Sequence, residues 1–430
     1  MSLILGLMSS VAYARLLGVE NFGMLAIISA FAGLLSIASS YGQETATATF
    51  AAEAIGKKDE EAIKRTLAYF LQASAISIAV LLCLAAMAPF IAIFVRGDET
   101  IGQYARLALL NATLQAPNVL SFLALQFERK IGRITLIENG IDALQLALSI
   151  FFITLGWNIS GVLWGTLMIS AIAMPFHIYW YEQSARRQHL PSLFSLVPQL
   201  WFYKTGELFR QGFWITLDRN VGSNLYPNLF YLLLGKYGSL RTIAYFRIAF
   251  RLANLPTSLL IPSITRMTAI AIPRIAATDS ASLLKACRRL LIGTLGLSTV
   301  AIAGAAIIVP PLIHVYGQEY TAATPIFLLL LPINFLMAAH VISVPILRVA
   351  RRTWSITVVN ILSILLGIGS FYILYPRLNA VYAVCVSIII FHLTSLLVFL
   401  YLAHILKHWK PTSTLNNIQS KSALETGLDE

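Results

Sequence analysis

Residues 67–95 read LAYFLQASAISIAVLLCLAAMAPFIAIFV, 29 positions without a charged side chain or a histidine. As a helix this run is about 43 Å long, against roughly 30 Å of hydrocarbon in a bilayer. Lipid offers no water to backbone N–H and C=O groups, so such a run satisfies them internally as helix. Lys64-Arg65 and Arg96 bracket it, as charges do at a membrane surface. Similar runs recur along all 430 residues, of which 58% are hydrophobic and 12% charged, with a mean hydropathy of +0.76. A soluble protein of this size needs far more polar surface. The sequence therefore predicts an all-α polytopic membrane protein of about twelve spans, at 1–14, 22–48, 67–95, 104–126, 140–157, 160–181, 208–234, 242–272, 290–313, 323–347, 355–375 and 380–403.

The chain also echoes itself. Leu17-Gly18 returns as Leu234-Gly235, an offset of 217, and Gly97-Asp98-Glu99 as Gly317-Gln318-Glu319, an offset of 220. Asp59 with Lys64 and Arg65 returns as Asp279 with Lys285 and Arg288. The basic turn Arg129-Lys130-Ile131-Gly132-Arg133 returns as Arg348-Val349-Ala350-Arg351-Arg352. Four weak matches in order predict two related halves, an architecture that many transporters share. The expected organisation is a six-helix lobe over 1–181, a cytoplasmic interfacial linker helix over 182–207, a second six-helix lobe over 208–403 and a disordered cytoplasmic tail over 404–430. In the linker, Leu193, Phe194, Leu196, Val197, Leu200, Trp201 and Phe202 alternate with polar and basic residues, the pattern of a helix lying on a membrane surface. Segments 53–66 and 274–289 are expected to extend the neighbouring helices into the cytoplasm. The first span reaches only about 21 Å, so related chains are expected to begin upstream of Met1.

The net charge of +12 raises the question of nucleic acid, and its distribution answers it. With the N-terminus inside, 22 of the 31 Lys and Arg residues fall on the cytoplasmic side. Five lie outside: Arg15, Arg96, Lys236, Arg241 and Arg377. That bias places both termini in the cytoplasm, and topology accounts for most of the basic charge without a nucleic-acid partner. The three cysteines, Cys83, Cys287 and Cys385, form no disulfide framework. Asn158-Ile159-Ser160 matches a glycosylation sequon of the kind that occurs by chance. No metal-spaced Cys/His cluster, phosphate-binding glycine loop or nucleophile elbow is present, so no cofactor, metal or enzymatic chemistry is expected. Outer gaps are too short to hold a glycosyltransferase or polymerase domain.

Charges inside spans cost about 2.5–3.5 kcal/mol each near the bilayer centre and mark function. Arg247 and Arg251 lie four apart on one face of the eighth span, beside Asn254. Guanidinium groups match phosphate with paired, rigidly spaced donors; the bland alternative is that Arg247 snorkels to the headgroups. The seventh span carries Asp218-Arg219-Asn220 and then Asn224 and Asn228, a polar stripe suited to a cavity wall. Asp218 can titrate as a coupling carboxylate or pair structurally with Arg219. Glu44, near Gln43, Thr45, Thr47 and Thr49, can face Arg219 or mark the membrane edge. Glu138 and Asp142 are expected at the N-terminus of a helix, favoured by its dipole. Arg106 can snorkel, and the scattered His177, His340 and His392 read as packing residues.

Ala14-Arg15-Leu16-Leu17-Gly18-Val19-Glu20-Asn21-Phe22-Gly23 resembles the first outer turn of the polysaccharide flippases of the multidrug/oligosaccharidyl-lipid/polysaccharide exporter superfamily. Leu233-Leu234-Gly235, Ala244 to Leu252, Pro256, Pro273-Arg274 and Tyr316-Gly317-Gln318-Glu319-Tyr320 with Ala322, Ala323 and Pro325 are similar to later signatures of that family. The resemblance covers residues 1–403, with the short first span as a departure. It implies two lobes around a central cavity, opening alternately to either side of a bacterial inner membrane. It also implies an undecaprenyl-diphosphate-linked oligosaccharide as substrate, with membrane lipids and the polysaccharide polymerase and chain-length machinery as partners. Rival readings are a multidrug cation antiporter of the same superfamily, which should present carboxylates and aromatics, and a peptidoglycan-precursor flippase, which usually has more spans.

Overall fold

Asp59 starts the helix that contains the 67–95 run. Its side chain accepts the Ala62 N–H at 2.9 Å, Glu60 and Glu61 fill the first turn, and Gly97 ends the helix with a φ of 74°. Asp98 then caps the next helix through the Thr100 N–H, also at 2.9 Å. The computed structural model describes residues 2–39, 43–56, 59–128, 130–188, 190–259, 280–338 and 353–407. In chain order its helices are α1 (Ser2–Ile37), α2 (Gln43–Gly56), α3 (Glu60–Arg96), α4 (Glu99–Thr113), α5 (Ala116–Phe127), α6 (Ile131–Phe152), α7 (Asn158–Gln188) and α8 (Leu193–Leu196). They continue as α9 (Gly206–Arg219), α10 (Tyr226–Tyr237), α11 (Leu240–Ala253), α12 (Ser280–Ile313), α13 (Ala323–Leu330), α14 (Thr353–Leu374) and α15 (Ala380–Lys407). No strand occurs among the described residues.

The protein is an all-helical, multi-pass membrane protein. Seven of the described helical segments are long and apolar enough to cross a bilayer. Two of these are interrupted where the sequence expects turns between spans. Gly18 (φ 74°, ψ 171°) breaks α1 in a conformation open to glycine alone. A π-helical turn, Ile153–Trp157, separates α6 from α7 ahead of Asn158, whose φ is 47°. The second echo aligns with structure, since Gly97 and Gly317 both take positive φ at helix breaks. The first does not: Gly235 is buried within α10, and the chain turns at Gly238 instead.

Several expected boundaries are corrected. The second span does not run through residue 48. It ends at Ile37, in the weak helix-forming stretch around Ser39, and α2 begins at Gln43. The fourth is broken at Leu114-Gln115, just before Pro117 opens α5. Residues 53–66 do extend the helices on both sides, with Gly56 ending α2 and Asp59 capping α3. Helix α6 begins at Ile131, so Glu138 and Asp142 lie about two and three turns inside it, beyond the first turn where the dipole acts. Residues 182–188 continue α7, and Pro191 and Pro198 divide the rest of the linker into α8 and the 3₁₀ segment Val197–Phe202. His340, Asp279, the basic turn 348–352 and the tail from 408 lie outside the described residues.

Packing divides the chain into two compact units. One comprises Met1–Leu252, Ile308–Leu330 and Ile368–Ile388; the other Ala253–Ile307, Leu331–Gly367 and Ile389–Glu430. In the first unit α1 meets α11 almost backbone to backbone. A Cβ on Gly23 would fall 2.0 Å from the Leu240 carbonyl oxygen, so only glycine fits there. Phe22, Phe230, Phe246, Tyr316, Tyr320, Phe327 and Phe371 are fully buried in this unit, while Phe90 and Phe94 of α3 are 73% and 92% exposed, the outward face expected of a lipid-bathed helix. The linker is amphipathic as expected. Leu193 and Leu196 pack on Leu67, Phe70, Leu120, Ala124, Tyr181 and Ala185, and the Gln72 amide donates to the Leu200 carbonyl at 2.6 Å. Phe194, Trp201 and Phe202 face outward.

At the start of the second unit the helix is interrupted at Asn254, two residues before Pro256. Asn334 sits in the break. Its amide donates to the Ala253 carbonyl at 2.6 Å, and its carbonyl oxygen accepts the Thr257 N–H at 3.2 Å and the Thr257 hydroxyl. One side chain is thus inserted into the i to i+4 ladder, a recognised cause of a sharp bend.

Candidate functional site

Helix α11 buries Ile243, Ala244, Phe246, Ile248, Ala249 and Leu252, and this packing fixes the position of Arg247 and Arg251 between them. The two half-buried arginines stand one turn apart on a single face, as the spacing predicts. The Arg247 guanidinium lies 4.7 Å from the centroid of the Phe22 ring, a cation–π arrangement. One of its nitrogens also reaches the Phe22 carbonyl at 3.5 Å. Arg251 points toward α1 at Gly6, where a Cβ would come within 2.7 Å of the guanidinium. Glycine at position 6 therefore makes room for the charge.

Three tyrosines complete the surroundings. Tyr13 of α1, Tyr231 of α10 and Tyr316, in the 3₁₀ turn after α12, lie within electrostatic range of Arg247. Tyr231 and Tyr316 also lie within range of Arg251. The Tyr316 hydroxyl sits beside that of Ser10, yet neither meets hydrogen-bond geometry with any described group, and both are buried. Buried hydroxyls without partners are uncommon and mark spare hydrogen-bonding capacity. Among the described residues no carboxylate pairs with either arginine. The ion pairs between described residues are Lys130–Glu128, Arg187–Glu128 and Arg241–Glu20. The site is two positive forks with aromatic walls and two adjacent buried hydroxyls, chemistry suited to a polyanionic group rather than to a cation.

Around this site, residues 14–22 are tied to the turns of the later chain. Arg15 donates to the Val315 carbonyl at 2.8 Å, the Tyr320 hydroxyl to the Ala14 carbonyl at 2.9 Å, and Arg241 meets Glu20 at 3.0 Å. The Phe22 and Tyr320 rings pack edge to face. Phe22 is common to this clasp and to the Arg247 contact.

The other expected residues divide into two sets. Asn220 and Asn224 lie on a second π-helical turn, Asn220–Leu225, between α9 and α10, where the Asn224 amide donates to Asn220 at 2.9 Å. Among the described residues no hydrogen bond joins this pair to either arginine. Asn228 packs on Gly33 of α1. Asn254 is the turn residue just inside the second unit, its carbonyl accepting the Ser258 N–H at 2.9 Å. Asp218 and Arg219 end α9 and Glu44 is the second residue of α2, with side chains outside the described set. His177 is fully buried between Phe122 and Trp180, 2.7 Å from the Ser121 hydroxyl, a packing position. Tyr13, Tyr231, Tyr316, Gly6 and Phe22 were not expected. Phe22 and Tyr316 do fall within the quoted family-like signatures, and Tyr13 directly precedes the first of them.

Residues 12–325 match the family described as polysaccharide biosynthesis protein. No curated protein matches the sequence significantly. Among solved structures, an inward-facing multidrug resistance MATE family transporter of the MOP superfamily is similar with a TM-score of 0.74, at 16% identity over 94% of each chain. An outward-facing transporter of the same description gives 0.62 at 18% identity, covering 95% of this chain and 93% of the other. A MATE structure in complex with MaD3S gives 0.62 at 17% identity over 93% and 91%. At these identities the likeness establishes the fold. The chain belongs to the polysaccharide biosynthesis protein family and has the fold of the MOP superfamily transporters.

Proposed function

We propose that this chain flips a lipid-linked oligosaccharide, carried on a polyprenyl diphosphate such as undecaprenyl diphosphate, from the cytoplasmic to the outer leaflet of a bacterial inner membrane. The observation that carries this reading is the pair Arg247 and Arg251 without a carboxylate partner among the described residues, beside the unpaired hydroxyls of Ser10 and Tyr316. A diphosphate supplies the missing negative charge and accepts from both forks and both hydroxyls. Two lobes, 1–181 and 208–403, alternate access, and the prenyl chain stays in lipid. Polysaccharide polymerase and chain-length proteins then receive the product.

The clasp at residues 14–22 gives the substrate a way to act on the protein. Arg247 holds Phe22 by its ring and its carbonyl, and an arriving diphosphate competes for the same guanidinium. Arg247 released toward the anion loosens Phe22, and with it the ties through Arg15, Glu20 and Tyr320. Outward movement of two negative charges across an inside-negative membrane gains about 4–5 kcal/mol per 100 mV, enough to drive flipping if the arginines stay in place. Ion coupling through Asp218 or Glu44 is a separate proposal, discarded if flipping in vesicles is unaffected by collapse of either ion gradient.

Multidrug cation export shares the fold, but two arginines without a carboxylate partner among the described residues repel a cation, so the fold alone favours that reading. The test is flipping of a fluorescent polyprenyl-diphosphate oligosaccharide in proteoliposomes, with wild type set against Arg247→Gln. Transport that fails for this substrate but proceeds for organic cations would replace the proposal with drug export.

A further inference from the structure

On the other side of α10 from the arginines lies an apolar cavity of about 280 Å³. Ile27 and Phe31 of α1, Ala92 and Val95 of α3, Ile101 of α4 and Ile368 of α14 form its walls. Helix α10 contributes Leu229, Leu232, Leu233 and Lys236, which fall on one face. Tyr231, which looks to the arginines, falls roughly opposite, at about 100° per residue. One helix thus separates two sites of different chemistry. The floor is hydrocarbon, and the mouth is polar. Lys236 is exposed, its ammonium 5.6 Å from the Tyr237 ring centroid, and has no ion pair among the described residues. Tyr237 packs against Phe371, Tyr372 and Tyr375, and Tyr372 also lines the cavity.

We propose that this cavity binds one anionic phospholipid of the surrounding membrane, with part of an acyl chain between α1, α3 and α10 and the phosphate at Lys236. Three features point to that occupant. Tyrosines and lysine cluster where a membrane-facing surface meets headgroups, so the mouth lies at phosphate level. From Lys236 to Leu229 the cavity runs about 10 Å along α10, and its volume of about 280 Å³ falls just below the small-molecule range of about 300–1,000 Å³. It therefore takes a length of chain and leaves the remainder in lipid. Bilayer tails are as apolar as leucine, so entry of the chain brings no hydrophobic gain and selectivity rests on the charge. A lone ammonium acts as a point charge for a phosphate monoanion, unlike the arginine forks across the helix. The two sites can be filled together, and the lipid does not compete with a substrate diphosphate.

The test is native mass spectrometry of delipidated full-length protein to which phosphatidylglycerol or phosphatidylcholine is added back. Wild type should retain one phosphatidylglycerol over phosphatidylcholine by about fivefold, the discrimination that one cation near a headgroup supplies. Lys236→Gln should retain both lipids equally. Leu232→Trp, which fills the cavity, should lose the retained lipid while Lys236 remains. Equal retention by wild type, an undiminished preference in Lys236→Gln, or retention by a folded Leu232→Trp would overturn the proposal. Recovery of a polyprenyl phosphate from this site, in place of phospholipid, would overturn it too.

Discussion

Arg251→Gln should separate binding from stability, because the structure gives the two effects opposite signs. Arg251 has no carboxylate partner among the described residues and stands one helical turn from Arg247. Their charges repel, by at most about 3 kcal/mol at an effective dielectric of 20, the value for guanidiniums as close as the roughly 5–6 Å between Cβ atoms one turn apart. The repulsion falls to about 0.2–0.5 kcal/mol where such a pair is fully solvated on a helix surface. Glutamine removes that repulsion, so the empty protein should melt at the same temperature or higher. Loss of one buried, hydrogen-bonded charge partner costs about 2–5 kcal/mol of ligand affinity, which is roughly 30-fold to several-thousand-fold. The assay is thermal unfolding of the purified protein in nanodiscs, with and without a short-chain prenyl diphosphate, paired with flipping in proteoliposomes. Wild type should be stabilised by the diphosphate, and the variant should need at least about 30-fold more of it for the same shift. A variant that melts lower than wild type when empty, and is stabilised by diphosphate to the same degree, would refute the assignment and make Arg251 a structural residue.

Other perturbations probe the supports of the site and of the fold. Gly6→Val should displace the Arg251 guanidinium, since even a Cβ there comes within 2.7 Å of it, and should cut flipping at least tenfold with surface expression retained on immunoblots. Asn334→Leu should strand the Ala253 carbonyl and the Thr257 N–H, at about 1–3 kcal/mol for each group left without a partner, and should appear as a clear loss of thermal stability. Glu128 lies outside the spans, in the turn between α5 and α6. Burial pushes its carboxyl up, but hydrogen bonds from Lys130 and Ser184, with the charges of Lys130 and Arg187, outweigh this and hold it below the usual carboxylate range. Its stabilising contribution is therefore complete above that range and is lost as pH falls through the depressed value. Melting curves against pH should show an acid-side decline in wild type that Glu128→Gln flattens.

Much of this molecule is visible in its sequence where chemistry is local. Asp59, Asp98 and Gly97 announce their caps, and the runs between them announce membrane helices. Arg247 and Arg251 share a face because four residues make about one turn. What surrounds them is less accessible. Tyr13, Tyr231 and Tyr316 converge from three distant segments, and tyrosine near a membrane is too common to single out without contacts. The stop at Ile37 is hidden in the sequence because the polar residues beyond it, Gln43 to Thr49, suit the inner end of one long span as well as the start of a second helix. Helix α6 starts seven residues before Glu138 for the reverse reason, since its first turns are amphipathic and lower the apparent hydropathy.

The wedge at Asn334 bears on how such a protein could change shape. Its amide offers one acceptor and two donors, so it takes over both ends of a backbone pair that Ala253 and Thr257 would otherwise form with each other. Straightening that turn returns the pair to itself and frees the asparagine for new company. Straightening therefore carries a cost, because the buried asparagine amide loses its partners, and the straight state is reached only where something else takes that amide up.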